Sequence, residues 1–285
     1  MKILIFGRGY LGNRLAEAWK DEAILSDVRI TSKEDAFAEF ARHQPDVVLN
    51  AAGVRGKPNV DWCEDHQLET MRGNAILPMI LADACAEAGL YLLHMGSGCI
   101  FYGDSAHEDR AWKEEDHGNP DVVYSRAKWA ADLVLSTLPN VAIARIRMPI
   151  DWVPSLNNMI DKLSTYPKVI DVENSVTIIE DMIDVFHQML EKKATGIFHV
   201  TNPGTMKHRE LLDLYHELVD QNHSCEWIHN DELVGQGLAK KGRSNNFLSN
   251  TRLAEYGIHM RPVDVALRDT MTKYAEAKKI QVREE

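Results

Sequence analysis

Ile3-Leu4-Ile5-Phe6-Gly7-Arg8-Gly9-Tyr10-Leu11-Gly12 is the stretch on which the fold of this chain turns. An unbroken apolar run enters a glycine, as a central parallel strand covered on both faces does. Gly7, Gly9 and Gly12 then keep the G-x-G-x-x-G spacing, and Leu11 to Trp19 reads as a helix. Glycines there permit a tight turn and a close approach of backbone to a pyrophosphate, while the helix N-terminus offers free N–H groups and positive dipole character. The stretch predicts a dinucleotide-binding loop in which Gly7, Arg8, Gly9, Tyr10, Leu11 and Gly12 meet the cofactor. The bland alternative is a tight strand-to-helix turn that binds nothing.

Outward from the loop the alternation continues. After a helix over Asp35 to Arg42, Val47-Val48-Leu49-Asn50-Ala51-Ala52-Gly53 repeats the pattern of a strand closed by small residues. Leu77 to Ala88 reads as a helix ended by Gly89, Tyr91 to Met95 as a strand, Val122 to Leu138 as a long helix and Val141 to Ile146 as a strand. Repeated strand–helix units imply an α/β fold, a Rossmann-type doubly wound parallel sheet. Beyond Met148-Pro149 the pattern is broken by Pro154, Asn157-Asn158 and Pro167, returns near Thr177 to Val200, and gives way to helices and loops from Thr201. The expected division is an NAD(P)-binding core over 1–150, rejoined by 177–200. A smaller C-terminal substrate-binding lobe takes 151–176 and 201–285.

A formal charge of −11 spread over the chain argues against general affinity for nucleic acid or acidic membranes, so an anionic ligand needs local donors. Cys63, Cys85, Cys99 and Cys225 lack paired metal-ligand spacing, and 285 residues bury a core without disulfides. No metal is expected, and reduced thiols fit a cytoplasmic setting. The first apolar run is too short for a signal peptide, and no stretch is long enough to span a bilayer. A homodimer is the assembly to expect.

Tyr124-Ser125-Arg126-Ala127-Lys128 puts a phenol and an ammonium four residues apart, hence on one helix face. A nearby cation favours the phenolate and lets tyrosine exchange a proton with a carbinol oxygen, while lysine can hold the cofactor ribose. With the glycine loop and Asn50-Ala51-Ala52-Gly53, this pair makes the chain resemble an extended short-chain dehydrogenase/reductase, more narrowly the dTDP-4-dehydrorhamnose reductase branch. The resemblance implies that Asn50, Ala51, Ala52 and Gly53 line the adenosine and ribose side of the cofactor, and that Ser97 assists Tyr124. Asp27 suits a ribose 2′-hydroxyl and Arg8 a 2′-phosphate; NADPH is the expected cofactor, with NADH open.

A narrower resemblance rests on Asn59-Val60-Asp61-Trp62-Cys63-Glu64, Gly98-Cys99-Ile100-Phe101, Arg145-Ile146-Arg147-Met148-Pro149-Ile150, Thr201-Asn202-Pro203-Gly204 and Arg243-Ser244-Asn245-Asn246. In combination these are similar to the nucleotide-rhamnose synthase/epimerase-reductase enzymes best known from plants. That family inverts C3 and C5 of UDP-4-keto-6-deoxyglucose and reduces C4 with NADPH. The resemblance implies Cys99 and Lys162 as the acid/base pair for inversion, with Ser97, Tyr124 and Lys128 serving reduction. Arg147 and Asn74 are expected at the cofactor, Asn74 as active-site support or a helix-start cap. Arg243 suits the substrate diphosphate. Asn202 and Asn246 are expected at sugar or base, and Asn59, Asp61, Trp62 and Ser97 around the sugar.

The loop from Phe101 to Tyr124 is shorter than in the plant enzymes, and Trp227 to Lys241 is unlike them, which leaves UDP against dTDP open. A simple 4-reductase and a cofactor-binding regulatory subunit are the alternatives. A 4,6-dehydratase is disfavoured, because Ser97 is followed by Gly98 and Cys99 instead of an acidic pair.

Overall fold

The computed structural model describes residues 1–57 and 59–284. Its centre is a six-stranded parallel sheet built from β1 (Ile3–Phe6), β2 (Ala23–Leu25), β3 (Val47–Asn50), β4 (Tyr91–Ser97), β5 (Val141–Ile146) and a sixth strand, Gly196–Val200. From one edge to the other the order is Gly196–Val200, β5, β4, β3, β1, β2. The chain winds from β1 to one side through β2 and to the other through β3. Their carboxyl ends therefore open a crevice, the usual ligand position in doubly wound sheets.

Ile3, Leu4, Ile5, Val47, Val48 and Leu49 are fully buried, as unbroken apolar runs in a two-sided sheet require. One apolar cluster covers one face through Leu15, Phe186, Met189 and Phe198; a second covers the other through Phe40, Leu81, Cys85 and Leu135. β4 is longer than the sequence suggests and carries Ser97 as its last residue, paired with Ile146. Helix Val123–Leu135 is shorter than expected, ending ahead of Pro139, and its first N–H, that of Val123, donates to Glu64 Oε1 at 2.8 Å.

Two stretches differ from expectation. The helix assigned to Leu77 onward begins at Gln67 and passes through a wide π turn, Arg72–Ile76, before Leu77–Glu87. Pro78 explains the turn: without an N–H it cannot bond the carbonyl four residues back, that of Asn74. From Thr201 on, helices and loops are joined by two short strands. Met206–Lys207 runs antiparallel to Glu173–Asn174, and Glu226–Ile228 parallel to Lys168–Ile170. With helices Met159–Thr165, His208–Leu218 and Val263–Glu284 they surround a third apolar cluster containing Ile160, Leu163, Leu211, Leu267 and Tyr274. Pro149–Ile150 pairs with Thr177–Ile178 and ties this lobe to the sheet. Among the described residues no helix is long and apolar enough to cross a membrane.

Candidate active site

The glycine loop separates what packing demands from what a ligand demands. Gly7 has φ +109°, and a Cβ on it would lie 2.4 Å from the Ala52 nitrogen; one on Gly12 would lie 1.9 Å from the Gly7 oxygen. These two glycines let β1, β3 and the first helix touch. A Cβ on Gly9 would meet nothing within 4 Å. Gly9 instead keeps clear the space ahead of helix Tyr10–Trp19, whose N-terminus has no side-chain cap. Open space before uncapped N–H groups fits a pyrophosphate. Arg8 is exposed at the rim, and Leu11 packs into the core beneath. The Tyr10 hydroxyl is turned elsewhere: it donates to Asp151 Oδ2 at 2.7 Å beside Arg14 Nε, so only the Tyr10 backbone and ring remain for a cofactor.

At the end of β3, Asn50 is buried, accepts from the Ala52 N–H at 3.0 Å and faces His94 Nδ1 at 3.1 Å. Its side chain thus sets the path of Ala51, Ala52 and Gly53. Gly53 is where the site narrows, for a Cβ there would lie 3.0 Å from Asn74 Oδ1 and 3.6 Å from Lys128 Nζ. Asn74 is no helix-start cap. From within the π turn it donates to the Val54 and Thr70 carbonyls at 2.6 and 3.0 Å and accepts from the Val54 N–H at 3.1 Å, clamping the β3 exit.

Ser97, Cys99, Tyr124 and Lys128 lie together where β4 ends beside helix Val123–Leu135. Ser97 Oγ accepts from the Cys99 N–H at 3.2 Å. Burial and then the neighbouring Cys99 push the Tyr124 phenol up, while the Ser97 hydroxyl bonded to it and the Arg55 cation pull it down. The ammonium of Lys128 donates to the Met95 carbonyl at 3.0 Å; burial lowers it to about 8, opposed by Asp132 one turn on. This departs from the expected lysine-driven phenolate. Burial wins, and Tyr124 is a neutral phenol across the physiological range, suited to giving a proton.

Cys99 sits on the single turn Gly98–Ile100. Arg147 is not aimed at a cofactor: it is buried, donates from Nη1 to Cys99 Sγ at 3.0 Å and from Nη2 to Asn174 Oδ1 at 2.6 Å and to the Ser244 carbonyl. Asn246 likewise turns inward and bonds the Gly98 and Phe101 carbonyls at 3.1 and 2.8 Å, bracing the cysteine turn instead of a sugar. Asn202 is spent on the fold: it donates to Asp181 Oδ2 and the Arg261 carbonyl and accepts from the Ile178 N–H.

Asn59 caps a short turn by accepting from the Asp61 N–H at 2.8 Å, and Trp62 stacks on His66 with ring centres 3.7 Å apart. Asp61 grips Arg243 through two bonds of 2.8 and 2.9 Å, while Lys240 pairs with Asp65 and Lys241 with Glu64. Asp61 thus holds the arginine expected at the diphosphate. Lys162 lies in helix Met159–Thr165, lowered to about 8 by burial and then by Arg55. Arg55, absent from the sequence reading, donates to Asn157 Oδ1 and acts on both Tyr124 and Lys162, linking the two sides of the site. No motif marks it; a cation two residues past Gly53 is the sole hint.

Residues 1–275 match the RmlD substrate binding domain family. The chain is 36% identical over 259 residues to the bifunctional dTDP-4-dehydrorhamnose 3,5-epimerase/dTDP-4-dehydrorhamnose reductase of Arabidopsis thaliana, covering 88% of this chain and 85% of that one. It is 33% identical over 285 residues to a trifunctional UDP-glucose 4,6-dehydratase/UDP-4-keto-6-deoxy-D-glucose 3,5-epimerase/UDP-4-keto-L-rhamnose-reductase of the same plant, covering 96% of this chain but 42% of that one. The chain thus spans less than half of that longer relative. Among solved structures, the L780 UDP-rhamnose synthase of Acanthamoeba polyphaga mimivirus superposes with a TM-score of 0.89 at 28% identity, over 96% of this chain and 99% of that one. A dTDP-4-dehydrorhamnose reductase of Bacillus anthracis in complex with NADP superposes at 0.81 with 19% identity, over 95% and 98%, a likeness of fold. From the glycine loop of β1 into the last helix, this chain belongs to the RmlD substrate binding domain family.

Proposed function

We propose that this chain is an NADPH-dependent nucleotide-sugar 3,5-epimerase and 4-keto-reductase, making UDP-rhamnose, or its dTDP counterpart, from the 4-keto-6-deoxyglucose nucleotide. The observation that carries the reading is the convergence of Ser97, Cys99, Tyr124 and Lys128 at the end of β4, with Arg55 joining them electrostatically to Lys162. The epimerase/reductase relative at 36% identity supports it. Residues 1–150 with 177–200 form the cofactor unit and 151–176 with 201–285 the substrate lobe of a homodimer that works in the cytoplasm.

The chemistry turns on one carbonyl. A ketone at C4 acidifies the C–H bonds at C3 and C5, and donors that polarise it stabilise the enolate left by proton removal. Ser97 and Tyr124 are those donors; Cys99 and Lys162 move the protons on the neighbouring carbons. NADPH, when bound, would supply the hydride for C4. Tyr124, kept neutral by burial, donates its phenolic proton to O4, and Lys128 orients the ribose from its seat on the Met95 carbonyl. The exposed Arg8 of the glycine loop would be the donor for the 2′-phosphate that distinguishes NADPH from NADH.

The test is incubation with UDP- or dTDP-4-keto-6-deoxyglucose and NADPH in deuterated water, with NMR of the product. Rhamnose carrying deuterium at C3 and C5 is expected. A reduced sugar with original stereochemistry and no deuterium there would remove the epimerase half of the proposal.

A further inference from the structure

Arg145 lies within β5 and Arg147 just past its end, and their surroundings differ. Arg145 is fully buried and answered by the Asp132 carboxylate at 2.8 Å. Arg147 is 4% exposed, and the hydrogen-bond partners of its guanidinium among the described residues are the Asn174 amide oxygen, the Ser244 carbonyl and the Cys99 sulfur. None is a carboxylate. Its Nε has no partner among the described residues. A buried guanidinium cannot shed its proton and is costly without a counter-charge. Of the three groups that touch it, Cys99 alone can become an anion.

The guanidinium is also held still. Asn174 Oδ1, which anchors it, accepts from the Asn246 N–H at 3.1 Å, and Asn174 Nδ2 donates to Asn245 Oδ1 at 3.1 Å. Asn246 in turn braces both ends of the turn that carries Cys99. One polar lattice therefore fixes donor and sulfur relative to each other. A charged N–H donor aimed at sulfur stabilises the thiolate over the thiol, more strongly in a site shielded from water.

We propose that Arg147 is the positioning residue that readies the Cys99 sulfur to take a proton in the epimerisation, with Lys162 as its partner in the pair already named. This rests on the epimerase reading above. The Cys99 thiolate takes the proton of the C–H bond beside the ketone, forming S–H. The C–H electron pair becomes the enolate double bond, and the carbonyl π pair moves to oxygen. The Lys162 ammonium then gives a proton to that carbon from the other face as the enolate returns to ketone. Proton exchange with water restores thiolate and ammonium, and Arg147 keeps its protons throughout. Besides Arg147, Tyr124, Tyr102 and Lys128 are ionisable groups that feel Cys99: two phenols held neutral by burial and one amine bonded to the Met95 carbonyl.

The decisive experiment is alkylation of the intact protein by iodoacetamide across pH, read peptide by peptide by mass spectrometry. Cys225, also partly exposed and pushed up by burial, is the internal control. Cys99 is expected to alkylate faster than Cys225 at neutral pH, with the two rates converging in alkali. Arg147→Gln should slow Cys99 alkylation about tenfold at neutral pH, with the gap closing in alkali, and slow deuterium wash-in at C3 and C5 to match. Arg147→Lys should recover part of both. Matching pH profiles for Cys99 and Cys225 in the wild type would overturn the proposal even if Arg147→Gln does not fold, and so would an unchanged profile in that variant. Undiminished wash-in in Cys99→Ala would instead sink the epimerase role of the thiol, which the alkylation profile does not touch.

Discussion

Lys128, on the sheet side of the molecule, and Lys162, in the lobe, are both lowered by burial to about 8, yet their surroundings assign them different work. Lys128 is 5% exposed, bonded to the Met95 carbonyl and supported by Asp132. It is a charge held in place. Lys162 is half-buried, and among the described residues its Nζ has no hydrogen-bond partner; after burial, the like charge of Arg55 is what lowers it. It is free to reach a substrate and to trade a proton. Equal basicity thus comes with a tether in one case and with mobility in the other, which suits orientation on the first side and proton transfer on the second.

The strongest way to break that division is to separate the two reactions. Tyr124→Phe should lower NADPH oxidation by about 10²–10⁴-fold and deuterium wash-in at C3 and C5 by much less, because Ser97 still polarises the ketone for enolate formation. Lys162→Gln should do the reverse, cutting wash-in about 10²-fold with NADPH binding intact. If either substitution depresses both reactions equally, the two sides of the site do not divide the labour.

A smaller effect concerns the tethered lysine. Lys128 titrates near its ordinary 10.5 in the unfolded chain and at about 8 in the fold. Between those values the unfolded state holds the extra proton, so this group makes stability rise with pH across that window, and below about 8 its full penalty remains. The contribution is on the order of 3 kcal/mol. Thermal melts at about pH 8 and about pH 10 should show the wild type gaining relative to Lys128→Met. A constant difference between the two proteins would mean that Lys128 is not desolvated as its burial indicates.

The sheet side was readable from the chain because its signals are local. Apolar runs into glycine locate β1 and β3, and the spacing of Tyr124 and Lys128 puts both on one helix face. Spacing does not say where an ammonium points, and Met95 offered it a carbonyl. In the lobe and at its junction with the sheet, the same kind of motif reading assigns ligand contacts to Asn202, Asn246 and Arg147. A polar residue in a motif looks alike whether it faces a ligand or a buried neighbour. The choice was made by non-local pairing of short segments such as Glu173–Asn174 with Met206–Lys207, which leave no periodicity to read. Arg55 belongs to no motif and acts through space.

Arg55 allows the finest test of the comparison. As a proton donor, Lys162 serves only while charged, so wash-in should fall as pH rises through about 8. Burial is the larger cause of that low value and Arg55 the second. Arg55→Gln should therefore move the fall upward but leave it well short of 10.5, because the burial remains. Arg55 is exposed, so its influence is screened by salt. Added salt should shift the wild-type profile toward that of the variant and leave the variant nearly still. Because Arg55 also bonds Asn157, Asn157→Ala separates the tether from the charge: it should leave the pH profile in place. A profile that moves in Asn157→Ala and not in Arg55→Gln would mean that loop geometry, and not like charge, sets the proton affinity of Lys162.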